Sequence, residues 1–414
     1  MRILIYSANF SPELTGIGKY SGEMAAWLVE QGHEVRVVAA PPYYPSWKIS
    51  SDYRRPWFRR ERINGAEVWR APIWVPKRPR GFVRTLHLLS FATSSFPLML
   101  MQIGWRPDVV FTVAPAFMCA PAGLLTAALS GAKAWLHLQD FEVDVAFRMG
   151  LLKGRLLQRI ALRMERAILR RFDVVSTISK RMIERLLVKG VSAERVCYFP
   201  NWVDLSLIRP ARRQGTYRAQ LGIPETAVVA LFSGTLGGKQ GLMVIPSAAS
   251  LLAAREDIVF VVCGDGVMKP ELQTAAAGLP NVRFLGLQPS ERLQDLLSMA
   301  DIQLMPQSAD AADLVLPSKL SGMLASGRPV IAACGAGTEI AEIVSQCGIV
   351  VGPKDAPGLA KAVAQLAENP ALRIDLGRRA RDIAESRFER DSTLRRVFGP
   401  LEQESQIAND VVAH

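Results

Sequence analysis

Lys239 stands between two glycine groups, in Gly234-Thr235-Leu236-Gly237-Gly238-Lys239-Gln240-Gly241. The run follows the β-rich stretch 228–232 and precedes a helical pattern. A flexible backbone carrying one lysine suits negative charge growing on a leaving diphosphate. The G-K-[ST] ending of a nucleoside-triphosphate loop is missing, and a lysine in a turn is commonly just solvated. Gly16-Ile17-Gly18 also follows a β-rich run and opens a helix, where backbone N–H groups can approach an anion. A dinucleotide fingerprint would need glycine where Ser21 stands and an acid near Ala39-Ala40, so NAD binding is disfavoured. A ligand-free turn is the plainer alternative. In Leu316-Pro317-Ser318-Lys319, Ser318 suits an N-cap or first helical position. Capping accounts for Ser318 alone; capping with an anion site accounts for Ser318 and Lys319 together.

Asp140, Glu142 and Asp144 recur at period two, so an extended segment would set them on one face for a divalent ion. A polar loop at a strand end is preferred to a metal site. His137, in LHLQD, reads equally as a core histidine or as a residue facing substrate. One carboxylate or imidazole within reach of a hydroxyl suffices for general-base work.

These residues need a scaffold. The 414 residues are 49% hydrophobic and 21% charged, which favours two folded domains over disorder. The five cysteines form no C-x-x-C pair, and the four histidines no H-x-x-x-H pair. A disulfide framework, a thiolate zinc site and a histidine-rich metal centre are thereby disfavoured. Residues 2–7, a helical pattern over 18–31 and a strand over 35–39 make a βαβ start and imply a parallel sheet. A Pro-, Trp- and Arg-rich insertion occupies 41–84, with a strand near 67–71. Strands are also expected at 109–113, 134–138 and 174–178. After a linker near Pro200-Asn201-Trp202, a second series is expected at 228–232, 258–263, 282–285, 302–305, 330–333 and 349–351. The boundaries read as 1–200, 201–387 and a helical 388–414 returning to the first domain.

Several long words in this order resemble the retaining glycosyltransferases of family 4, which share the GT-B fold. They are SPELTGIGKY, FPNWVD, SGTLGGKQG, VVCGDG, VRFLG and ASGRPVIA, spanning almost the whole chain. ANFSPELTGIGKYSGEMAAWL, APPYYPSW, LHLQDFEVD, STIS and VLPSKL are similar to the colanic acid biosynthesis transferases of WcaI type. The resemblance implies two Rossmann-like domains facing a cleft. It implies transfer of a sugar, fucose from GDP-fucose in that subgroup, to a lipid-diphosphate-linked saccharide. It further implies a retaining reaction with no metal and no cofactor beyond the nucleotide-sugar co-substrate. Lys239, Asp140 and His137 are the implied catalytic residues. Gly16, Gly18, Gly234, Thr235, Gly264, Asp265, Ser318 and Lys319 are the implied donor-binding ones. This chain departs from the family pattern at three positions. The family's paired glutamates fall on Leu314 and Gly322, with Asp310 or Asp313 as possible substitutes, and Thr235 replaces a frequent arginine. A sugar-nucleotide 2-epimerase and a non-catalytic sugar-nucleotide-binding scaffold therefore stay open as alternatives.

Charge is uneven. Residues 1–200 hold 29 Lys and Arg against 15 Asp and Glu, while residues 201–414 hold 21 against 23. Arg155, Arg159, Arg163, Arg166 and Arg170 form one stripe of a helix expected over 154–172, with Leu156, Ile160 and Met164 towards another face. Arg54, Arg55, Arg59, Arg60, Arg62, Lys77, Arg78, Arg80 and Arg84 add to the charge. An anionic membrane is favoured as the partner over nucleic acid, for which no reading motif is present. The expected location is cytoplasmic, peripheral on the inner face of the cytoplasmic membrane. The start of the sequence has no signal-peptide core, and the uncharged stretch 85–105 is a poor bilayer span.

Overall fold

The computed structural model describes residues 1–54, 57–77, 82–114, 117–141, 143–144, 154–211, 215–309 and 316–412. The chain divides into two compact units, Met1–Pro200 with Leu394–His414, and Asn201–Thr393.

The first unit is laid out on β1 (Arg2–Ser7), β2 (Glu34–Ala39), β3 (Arg59–Ile63), β4 (Ala66–Arg70), β5 (Val109–Ala114), β6 (Lys133–Leu138), β7 (Val174–Thr177) and β8 (Val196–Tyr198). Their order in one sheet is β3-β4-β2-β1-β5-β6-β7-β8. β5 is buried at every position, as befits a parallel strand covered on both faces. Helices α1 (Gly16–Glu30), α2 (Phe82–Ile103), α3 (Ala120–Ser130), α4 (Arg155–Leu169) and α5 (Lys180–Val188) follow the strands. The sheet is parallel, as expected, from β4 through β8, and it is made mixed by one antiparallel strand at its edge. β3 runs antiparallel to β4 across Asn64-Gly65, both at positive φ (46° and 82°), the backbone of a two-residue hairpin. α2 is long and apolar enough to cross a membrane by length and composition, yet Phe91, Leu98, Met99 and Gln102 bury one face of it in the fold.

The second unit holds β9 (Val228–Ser233), β10 (Ile258–Cys263), β11 (Val282–Leu285), β12 (Ile302–Pro306), β13 (Val330–Ala333) and β14 (Gly348–Val351). They pair in parallel in the order β11-β10-β9-β12-β13-β14. Helices α6 (Gly215–Gln220), α7 (Val244–Leu251), α8 (Lys269–Ala275), α9 (Leu293–Ser298), α10 (Lys319–Ala325), α11 (Glu339–Val344), α12 (Ala356–Glu368) and α13 (Pro370–Phe388) complete it. Strand order reverses between β9 and β12. In open α/β sheets a ligand crevice forms at the carboxyl ends of strands where the order reverses.

The last helix, α14 (Arg390–Val412), begins in the second unit and belongs to the first from Leu394 onward. The return expected at 388 comes later because Arg390 is held by Asp204 at 2.8 Å and Val203 bridges Glu389. Beyond that point Phe398 fills an aromatic slot of the first unit, with ring centroids 5.8 Å from Trp135, 5.9 Å from Phe111 and 5.9 Å from Phe199.

Candidate functional site

In the second unit, the carboxyl ends of β9, β10 and β12 deliver three loops to one place. Gly234 and Gly264 pack backbone against backbone: a Cβ on Gly264 would lie 1.9 Å from the Gly234 carbonyl oxygen, and one on Gly266 2.4 Å from that of Leu236. Leu236 N–H donates to the Asp265 carbonyl at 2.8 Å. Gly264 is thus required by its neighbour loop. Gly241, at φ 61°, lies against the backbone of Gln307 and Ser308, which joins the loop carrying Lys239 to the end of β12. Lys239 itself stands in the 3-10 turn Gly238–Gln240, and its side chain lies outside the described residues. Thr235 and Asp265 are exposed, and the Asp265 carboxylate accepts the Gly266 N–H at 2.8 Å.

Lys319 enters this place from α10. Its Nζ lies 3.7 Å from the centroid of the Phe232 ring, at the end of β9, and its Cδ comes 3.4 Å from where a Cβ on Gly234 would sit. The side chain as a whole is half-buried, but the ammonium nitrogen is fully buried with no hydrogen-bond partner among the described residues. Burial alone pulls it down from its usual 10.5 to about 7. Gln240 Oε1 and Gln307 Oε1 are likewise buried and unpartnered. Buried polar atoms left unsatisfied are rare and costly, so three around one strand-order reversal describe a site prepared for a polar ligand. Ser318 precedes α10 with helical backbone angles and makes no side-chain cap, which corrects the capping role expected for it. Instead its carbonyl accepts the Ser321 hydroxyl at 3.0 Å. At Gly322, one turn further, there is no carboxylate, and a Cβ there would face Leu297 at 3.9 Å. Asp310, Asp313 and Leu314 lie outside the described residues.

In the first unit the loop after β1 is held by Glu13. This buried side chain accepts the N–H groups of Tyr43 and Tyr44 at 3.0 and 2.9 Å through one oxygen, and the Asn9 amide at 2.9 Å through the other. Desolvation pushes its carboxyl up, while these hydrogen bonds pull it down. A Cβ on Gly18 would come within 2.5 Å of Glu13, and one on Gly22 within 2.7 Å of Ser11 Cβ. Those glycines therefore make room for the Glu13 loop, whereas Gly16, at φ 60°, turns the chain beside the Tyr44 ring. Glu13→Ala leaves three N–H donors without their acceptor, and a loss of about 2–5 kcal/mol is expected. A thermal melt checks it; an unchanged midpoint removes the clasp.

His137 ends β6 buried, its Nδ1 2.9 Å from Ser176 Oγ and its Nε2 3.0 Å from Gln139 Nε2. Burial lowers it to about 3, so the imidazole stays neutral at physiological pH. Asp140 follows, half-buried, just past the strand end. Glu142 lies outside the described residues; Asp144 pairs with Lys189 at 2.9 Å. Among the described residues no group of three or more His, Cys, Asp or Glu side chains could hold a metal ion.

Residues 15–202 match the Glycosyl transferase 4-like domain and residues 227–369 the Glycosyl transferases group 1 domain. The colanic acid biosynthesis glycosyl transferase WcaI of Escherichia coli (strain K12) is 40% identical over 411 residues, covering 97% of this chain and 100% of that protein. The chain belongs to the family 4 glycosyltransferases. This glycosyltransferase is also similar to the GDP-mannose-dependent alpha-mannosyltransferase of Mycobacterium tuberculosis (strain CDC 1551 / Oshkosh), 26% identical over 333 residues and covering 80% and 79% of the two chains. Among solved structures, sucrose-phosphate synthase from Thermosynechococcus elongatus superposes with a TM-score of 0.75 at 19% identity, over 98% and 99% of the chains. HepE from Anabaena in complex with UDP and glucose does so with 0.68 at 17%, over 97% and 100%. These structural likenesses establish the GT-B fold.

Four residues of the glycosyltransferase escaped the sequence reading. Glu13, Gln240 and Gln307 act through neighbours distant in sequence or at the rim of a loop. His87, on α2, faces the Trp74 carbonyl through Nδ1 at 2.6 Å, which places the proton there. Its Nε2 is buried and unpartnered, beside the rings of Tyr43 at 4.9 Å and Trp47 at 5.2 Å. The only sequence signal was a histidine inside an otherwise apolar helix.

Proposed function

We propose that this glycosyltransferase moves a sugar, with fucose from GDP-fucose as the first choice, onto a lipid-diphosphate-linked saccharide in the synthesis of a colanic-acid-like exopolysaccharide. The single observation that carries the donor site is the buried ammonium of Lys319, without a hydrogen-bond partner among the described residues, where strand order reverses between β9 and β12. A diphosphate would supply the partner that ammonium lacks, and Lys239 on the adjoining turn would share the charge that grows as the glycosidic bond breaks. Gly322 has no carboxylate, and Lys319 stands one turn before it on the same helix. This chain therefore offers a cation near where the family has a ribose-binding glutamate. In the first unit Asp140, just past the end of β6, would act as base towards the acceptor hydroxyl, with neutral His137 beside it on the strand.

Support for the substrates comes from relatives. The 40% identical protein is named for colanic acid biosynthesis, and the mycobacterial relative uses GDP-mannose. HepE holds UDP and glucose. Transfer is taken as retaining and metal-independent, at the inner face of the cytoplasmic membrane, with the basic first unit towards anionic lipid. The test is acceptor-dependent release of nucleoside diphosphate across a panel of GDP- and UDP-sugars, with and without added magnesium. Release that needs a lipid-linked acceptor is the expected result. Isomerised donor with no acceptor would establish the 2-epimerase instead, and donor binding with no turnover a scaffold.

A further inference from the structure

α4 lies on the first unit inverted with respect to an ordinary surface helix. Leu156 is 71% exposed, Ile160 46% and Met164 59%, and Ala167 is exposed with them. These residues follow at i, i+4, i+8 and i+11 and so make one apolar stripe facing solvent. Arg159, Arg163, Arg166 and Arg170, all exposed, form a second stripe directly beside it. The face turned inward carries Leu169 and Glu165, the one acid in the helix. Glu165 is buried there against Lys189, which also pairs with Asp144 at 2.9 Å and lies over the Phe141 ring at 5.2 Å.

A helix free to roll would bury the leucine, isoleucine and methionine and give Glu165 to water. The contact with Lys189 forbids that roll, because turning Glu165 outward would leave a buried ammonium short of a partner. Val188, next to Lys189 in sequence, is itself 80% exposed.

We infer that the outer face of α4 is the seat of the protein on an anionic phospholipid bilayer, fixed in rotation by the Glu165–Lys189–Asp144 cluster. This deepens the membrane element of the proposed function and rests on it only for the choice of acceptor. Charge decides the occupant. An apolar stripe edged by arginines matches acyl chains beside lipid phosphates, with arginine stems lying along the boundary and guanidinium heads in the headgroup layer. A second copy of the chain seated isologously on the same face would bring two arginine rows together.

The experiment is flotation of the full chain with vesicles of phosphatidylcholine alone and of phosphatidylcholine with a quarter phosphatidylglycerol, over a salt series. Wild type is expected to float with the anionic vesicles and to release as salt rises. The pair Ile160→Ser with Met164→Ser should weaken that binding at least tenfold at low salt, and Arg159→Gln with Arg163→Gln and Arg166→Gln should remove the salt-sensitive part. All these positions are exposed, so melting and donor hydrolysis should be unchanged. Equal flotation of the serine pair overturns the assignment. So does lipid-free sedimentation showing a wild-type dimer that the serine pair splits, since the face would then belong to a second copy. Loss of transfer with flotation intact would count against the proposed reaction and leave this surface standing.

Discussion

Lys319→Met should lower glycosyl transfer by about a hundredfold to a thousandfold, the usual effect of removing one group that stabilises developing negative charge. The same substitution should leave the free protein as stable as before or more so. Methionine matches the lysine stem in length, and it ends the burial of an ammonium that lies over the Phe232 ring with no hydrogen-bond partner among the described residues. A drop in activity paired with a rise in melting temperature is a signature that general misfolding does not produce. pH adds a second signature. The folded-state value of Lys319 is about 7 against the usual 10.5, so between those values the unfolded chain holds more protons than the folded one. Stability of the wild type should therefore climb as pH rises across that window, and the methionine variant should lack this component. A bound diphosphate favours the charged form, so donor binding above pH 7 should take up a proton, measurable by titration calorimetry in buffers of different ionisation enthalpy. Full transfer activity in a folded Lys319→Met protein would end the assignment.

Lys239→Ala is expected to cost a similar factor, about 10²–10³ in kcat, without loss of folding. The turn that carries Lys239 is shaped by backbone: Gln240 N–H donates to the Gly237 carbonyl at 3.2 Å, and Gly241 packs on residues 307 and 308. Neither contact needs the lysine side chain. Since Thr235 stands where relatives often carry arginine, Thr235→Arg in the Lys239→Ala background should recover part of the lost rate. Single-turnover kinetics with saturating donor separates this loss in chemistry from weakened binding. Normal turnover in a stably folded Lys239→Ala protein would dispose of the role.

Much of the scaffold was legible because strand and helix periods are local. β5, β9 and β10 are buried, largely apolar runs, and glycine loops end β9 and β10 where the sheet must release the chain. The antiparallel edge was missed although Asn64-Gly65 is a hairpin signal, since the arginine-rich β3 has no apolar pattern of its own. At the site, sequence showed which loops carry glycine and lysine, but it could not show what each residue faces. Gly18 reads as a ligand-approach glycine until Glu13 is seen filling the space above it. Lys319 reads as part of an anion site, but not as a buried ammonium, until Phe232 and Gly234 are seen close around it. Glu165 reads as one more polar residue of a helix until Lys189, from the end of α5, turns it inward. Each depends on a partner outside its own element, which periodicity does not report.

Phe398 completes the aromatic centre of the first unit, although it is made long after the strands it packs against. On the ribosome, residues 1–200 emerge with that slot open, and at about 5–20 residues per second they wait on the order of 10 s or more for its plug. The later-made unit can finish folding first. Chaperone demand during synthesis should accordingly fall on the N-terminal half, and a stop placed between codons 394 and 398 should leave the second unit, which ends at Thr393, protease-resistant while the first unit is cleaved.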